Sequence, residues 1–312
     1  MSNGGGFEET MARATERYAE GRYGDALDVV LAADAPPGWA AIRTLLEANL
    51  CCMLGEHDRT IEVLDDGLAR GEWWRPEMLA NDHDFDPVRA DPRFAAIVAE
   101  TGRRADAADA AGVPGLEVIE PPEPDGTVLV ALHGGSGNAA EFAPHWRAAA
   151  DVGTLVAAPQ SPRPACSGGE RFSWPPEAET AGQLGVQLAE IRAAHRVDRV
   201  VYAGFSQGAR LALWCALHGV PEAPVGVIAV VGTPAVDDVA DVLPAAAERG
   251  LRAWFLTGDL DFTAPAVRAA HAAFEAAGVS CRLTETAGTG HAFPPGFDEL
   301  LPGLLEFVLG AA

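Results

Sequence analysis

Short apolar runs alternate with helix-forming stretches over the last two-thirds of this chain, and that rhythm restricts its fold more than any other feature. The runs fall at residues 127–132, 154–158, 200–203, 227–231, 252–256 and 280–283. Helical stretches occupy about 139–150, 178–194, 207–218, 239–248, 266–276 and 299–309. A strand reached through a helix pairs in parallel with its predecessor, and a mostly parallel sheet needs helices on both faces. The expected class is therefore α/β. In such sheets ligands bind beyond the carboxyl ends of the strands, so reactive residues are to be sought there.

One of those ends carries a serine. The run Arg199-Val200-Val201-Tyr202-Ala203 leads into Gly204-Phe205-Ser206-Gln207-Gly208, and a helix-forming stretch follows. A sharp strand-to-helix turn requires glycine on each side, because a side chain would collide with the folded-back backbone. The turn lifts the Ser206 hydroxyl clear of the sheet, where a base can reach it. The five-residue pattern alone is weak, and its setting between strand and helix gives it weight.

A serine hydroxyl needs a base, a carboxylate to orient that base, and donors for a developing oxyanion. His291, in Gly290-His291-Ala292-Phe293-Pro294-Pro295, follows the last apolar run and is the expected base. The loop after 252–256 offers two aspartates, Asp259 and Asp261. Asp261, deeper in the loop and just before the next helix, is the preferred acid; Asp259 is expected to satisfy backbone amides of the turn. For the oxyanion, Leu132-His133-Gly134-Gly135 follows the first core run. Its glycines free backbone N–H groups for a substrate carbonyl, with Gly135 preferred and Gly134 the alternative. The second donor is the N–H of Gln207, directly after the serine. His133 is expected to brace this loop.

Taken together, His133-Gly134-Gly135, Gly204 through Gly208, Gly258 through Pro265, and Gly290-His291 resemble the α/β-hydrolases. Within them the closest resemblance is to the phospholipase/carboxylesterase, acyl-protein thioesterase-like group. It extends from about residue 116 to the end of the chain. It implies a mostly parallel sheet with helices on both faces and a serine carboxylesterase or thioesterase. No metal or organic cofactor is implied, and the substrate would be a small-molecule acyl ester or thioester. The group's triad acid precedes a short apolar-proline turn, which corresponds to Asp261 here. Two departures stand out: Gly208-Ala209 where the group commonly has Gly-Gly, and Phe262-Thr263-Ala264-Pro265 after the acid.

The segment 161–176 is an insertion on the expected catalytic side. Phe172 and Trp174 are candidates to wall an acyl pocket, and Arg171 to meet an acidic substrate group. An ordinary rigid loop whose aromatics seal the core is an equal expectation.

The first hundred residues read as helix only. Gly21-Arg22-Tyr23-Gly24-Asp25-Ala26-Leu27-Asp28-Val29-Val30 aligns with Gly55-Glu56-His57-Asp58-Arg59-Thr60-Ile61-Glu62-Val63-Leu64, 34 residues later, and Ala14 and Ala48 keep that register. This is the period of tetratricopeptide helix pairs, which the segment resembles in degenerate form. Thr44, Cys51 and Thr60 replace residues usual in that family. The expected organisation is a small helical repeat-like domain over 1–104, a linker over 105–114, and an α/β-hydrolase domain over 115–312. The helical segment is open to a protein partner, to self-association, or to docking on the chain's own hydrolase domain, where it would cover the active site.

A net charge of −23 argues against nucleic acid or an anionic membrane surface as partner. The chain has no lysine, which excludes Schiff-base chemistry and a Walker-type phosphate loop. Its five cysteines show no metal-ligand spacing or disulfide pattern; Cys166, in a Pro/Gly-rich loop, is expected to be the exposed exception. No apolar run reaches the length of a membrane span, and residues 1–10 have neither a basic start nor an apolar signal core, so a cytoplasmic location is expected. Two other functions compete with the esterase: a peptidase on the same fold, and a helical-repeat adaptor with a silent hydrolase domain.

Overall fold

The computed structural model describes residues 4–310, so residues 1–3 of the amino-terminal segment and residues 311–312 lie outside it. The chain forms two compact units, Met1–Gly112 with Arg163–Phe172, and Val113–Pro162 with Ser173–Ala312. Among the described residues no helix is long and apolar enough to cross a membrane.

The first unit opens with two helix pairs, Gly4–Ala19 with Tyr23–Ala32 and Ala40–Met53 with His57–Ala69. Gly21 and Gly55, at equivalent positions of the repeat, turn the chain between partners with φ of +73° and +79°. A residue with Cβ is strained in that left-handed conformation. Ala14 and Ala48 are fully buried, consistent with small residues where helices touch. Helix Pro76–Ala80, a 3-10 turn over His83–Val88 and helix Pro92–Asp109 complete the set. Asp91 caps the last helix through the Arg93 N–H, whereas Asp86 lies inside the 3-10 turn, whose cap is Asp82.

The segment expected as a linker is half helix. Pro92–Asp109 continues through it because Ala105 is buried on the helix's inner face and nothing breaks the run before Gly112. Part of the 161–176 insertion also differs from expectation, since Arg163–Phe172 packs as part of the helical unit. The Arg75 guanidinium donates to Pro164 O at 2.6 Å and pairs with Asp109. Trp74 forms an isolated bridge with Cys166. Cys166 is therefore buried rather than exposed, and burial pushes its thiol up to about 12.

The second unit holds all but a few of the strand residues. In chain order the strands are β1 (Gly115–Ile119), β2 (Thr127–Leu132), β3 (Leu155–Gln160), β4 (Arg163–Pro164), β5 (Phe172–Ser173), β6 (Arg199–Phe205), β7 (Gly226–Val230), β8 (Arg252–Gly258) and β9 (Ser280–Thr286).

 Among the described residues only β4 and Phe172 of β5 fall outside this unit, and every other strand residue lies within it.

Seven strands form one sheet in the order β1-β3-β2-β6-β7-β8-β9, parallel throughout except for β1, which runs antiparallel to β3 at one edge. Side chains alternate between two apolar clusters along the central strands. Val128, Val130 and Leu132 of β2 join one cluster, while Leu129 and Ala131 join the other. β6 and β7 divide in the same way, as a two-residue period requires. Helices Glu177–Ala194, Gln207–His218 and Ala264–Ala276 supply the first cluster, and Phe297–Val308 the second. Helices thus cover both faces.

Two expected helices are broken by proline. The stretch 139–150 becomes helix Ala139–Phe142, a 3-10 turn Ala143–Trp146 containing Pro144, and helix Arg147–Asp151. The stretch 239–248 becomes Val236–Val239 and Leu243–Glu248, the second carrying Pro244 in its first turn. Proline is tolerated in a first turn and kinks or breaks a helix elsewhere.

Candidate active site

Ser206 stands between β6 and helix Gln207–His218 with φ 53° and ψ −115°, a conformation that a residue with a side chain rarely adopts. Its surroundings hold it there. A Cβ on Gly204 would run into the Gly208 backbone, one on Gly208 into Leu132 O, and one on Gly232 into Ser206 O. Ser206 N–H also donates to Val230 O at 2.8 Å. Gly232 was not singled out from sequence, although Val231-Gly232-Thr233-Pro234 at the carboxyl end of β7 carries a turn signal.

The loops after β8 and β9 bring Asp261 and His291 to this serine. His291 Nε2 lies 2.8 Å from Ser206 Oγ. His291 Nδ1 lies 3.0 and 3.2 Å from the two Asp261 carboxylate oxygens. A carboxylate only accepts, so Nδ1 carries the proton and Nε2 is left to accept from the serine hydroxyl. The Asp261 side chain is wholly buried, and its Oδ1 also accepts from the N–H and hydroxyl of Thr263, at 2.7 and 2.9 Å. Asp259 points elsewhere, accepting the Gly288 N–H at 2.7 Å. The two loops approach closely at Gly258, where a Cβ would collide with Thr289 O, and Leu260 N–H donates to that same oxygen at 3.1 Å.

The candidate oxyanion donors sit on the other side of the turn. Gly134 O accepts from His133 Nδ1 at 2.8 Å and from Gly137 N–H at 3.1 Å. In a trans peptide the Gly135 N–H points opposite to that carbonyl, and so away from His133. Gln207 is the first residue of its helix, where an N–H has no intrahelical acceptor. An ideal Cβ on Gly135 would lie 3.4 Å from Gln207 Oε1, so the two residues are neighbours.

Solved structures of similar shape place this architecture. The chain is similar to an uncharacterized protein from Bacillus cereus ATCC 10987, at 20% identity and TM-score 0.56, over 98% of this chain and 99% of that one. It is similar to esterase PE8 at 22% identity and TM-score 0.52, and to Zea mays acyl-protein thioesterase 2 at 17% and 0.50. Each of these two covers 62% of this chain, which spans 99% of theirs. The fold is that of the α/β-hydrolases. No family model matches the chain, and no curated protein does.

Within this α/β-hydrolase fold, the residues expected to wall a substrate pocket take other places. Arg171 is buried in the helical unit with its guanidinium 3.9 Å from the centre of the Trp39 ring. Phe172 belongs to the same unit. Trp174 is buried in the core of the second unit, stacked on His133 at 4.6 Å, and its indole N–H donates to His133 O at 2.7 Å. Its backbone N–H donates to Gln207 Oε1 at 3.2 Å. Trp174 therefore braces the donor loop instead of walling a pocket; a Pro/Gly-rich loop carries no periodicity to indicate which way its aromatics turn.

His133 is fully buried, and loss of solvent lowers its pKa from 6.5 to about 4, opposed by its bond to Gly134 O. Between these values the unfolded chain binds a proton that the folded chain does not. Stability is thus expected to fall as pH is lowered from 6.5 to about 4, by about 3 kcal/mol, and to lose nothing further from this group below that. Urea unfolding across this range checks it, with His133→Gln expected to lose that part of the slope.

Proposed function

We propose that the protein hydrolyses carboxylic esters or thioesters through an acyl-enzyme on Ser206. The observation that carries this is the continuous hydrogen-bonded line from Ser206 Oγ through His291 to the buried Asp261. His291 Nε2 takes the hydroxyl proton as Ser206 Oγ bonds to the substrate carbonyl carbon. The oxyanion is held by the N–H groups of Gly135 and Gln207. His291 then gives its proton to the departing oxygen or sulfur, and the carbon–heteroatom bond breaks. Water, deprotonated by the same imidazole, releases the acid and restores the serine. Asp261 holds the imidazole in the required tautomer and offsets its positive charge.

The choice of esters and thioesters follows the names of two structures that share the fold, esterase PE8 and Zea mays acyl-protein thioesterase 2. The paired helices of the first unit we assign to a degenerate tetratricopeptide-like module, available to a protein partner or to self-association. A fluorophosphonate probe tests the reaction type: it should label Ser206 in the folded protein, and a panel of esters and thioesters then ranks substrates. Failure of the probe to label folded protein would favour a silent adaptor.

A further inference from the structure

Leu260 and Phe262 flank Asp261 and leave 71% and 79% of their surface in water, an exposed apolar pair beside a polar site. The loop that presents them is tied down. Leu260 N–H donates to Thr289 O, Asp261 N–H to Gly258 O, and Thr263 holds the carboxylate. The Phe262 ring lies on the His291 imidazole, with centroids 4.7 Å apart and planes at 28°. Phe205 meets the same imidazole edge-on at 5.3 Å. Core packing gives no reason for a phenylalanine at 262, because its side chain is largely exposed and its ring lies against the histidine.

The histidine of such a site delivers its proton to the leaving group, so whatever lies beside the imidazole meets the leaving group rather than the acyl chain. Resting on the ester-hydrolysis reading above, we infer that Phe262 and Leu260 form a leaving-group subsite that takes an apolar, uncharged alcohol. Asp259 on the same loop and the net charge of −23 disfavour an anionic leaving group there.

Two ester series separate this subsite from the acyl side. In one, acetate is fixed and the alcohol runs from ethyl to butyl to hexyl; these alcohols ionise alike, so only their apolar bulk changes. In the other, ethanol is fixed and the acid lengthens. In the full-length protein kcat/KM should rise about tenfold or more along the alcohol series. Phe262→Ser and, separately, Leu260→Ser should each flatten that rise while leaving the slope of the acid series as it was. Both side chains are exposed, and thermal unfolding checks that each variant is folded. An active wild type with a flat alcohol series, or variants that change both series equally, would overturn the subsite alone. A wild type that turns over no ester overturns the ester-hydrolysis reading with it.

Discussion

Replacing Ser206 by alanine is expected to lower kcat for ester hydrolysis by about a hundred-thousand-fold, since loss of the nucleophile removes the covalent route. Alanine keeps a Cβ and with it the strain of φ 53° and ψ −115°. It therefore removes the hydroxyl without relaxing the turn, and stability should stay close to wild type. Ser206→Gly should be equally inactive but more stable by about 1 kcal/mol, because glycine adopts this backbone without the steric penalty. Urea unfolding of the three proteins reads the difference. Substantial turnover by Ser206→Ala would sink the proposed reaction, whereas equal stability of the alanine and glycine variants would show that the strain is relieved elsewhere.

The two aspartates of the acid loop should separate just as clearly. Asp261→Asn is expected to lower kcat by about ten-thousand-fold, because an amide can donate to His291 Nδ1 and favour the tautomer that carries its proton on Nε2. A base already protonated there cannot take the proton of Ser206. Asp259→Asn keeps an acceptor for the Gly288 N–H and should leave kcat near wild type. Steady-state kinetics on one ester compares them, and a larger loss at Asp259 than at Asp261 would reverse the assignment of the acid.

The sheet was legible because β2, β6 and β7 are buried on both faces, and a strand buried on both faces has an uninterrupted apolar sequence. β1 was not, since an edge strand such as Gly-Leu-Glu-Val-Ile is half exposed and too short to announce itself. The prolines at 144 and 244 were visible, yet alanine-rich surroundings concealed the breaks they make. At the site, Ser206, Asp261 and His291 were readable from turn chemistry and chain order. Gly232 and Phe262 were not, because their importance lies in which atoms they approach across the fold. The direction taken by Arg171 and Trp174 depends on tertiary packing in the same way.

The return of Arg163–Phe172 to the helical unit has a practical consequence for dissection. The chain leaves that unit at Gly112, comes back for ten residues and leaves again, so no single cut yields two intact halves. A protein begun at Val113 would carry those ten residues without Trp74, Arg75 and Trp39, the residues that receive them. Truncation at the sequence boundary would thus injure the second unit as well as remove the helices. Loss of activity in such a fragment would say nothing about whether the helices take part in catalysis; replacing the ten residues with a short polar turn at the same time is the dissection that the connectivity permits.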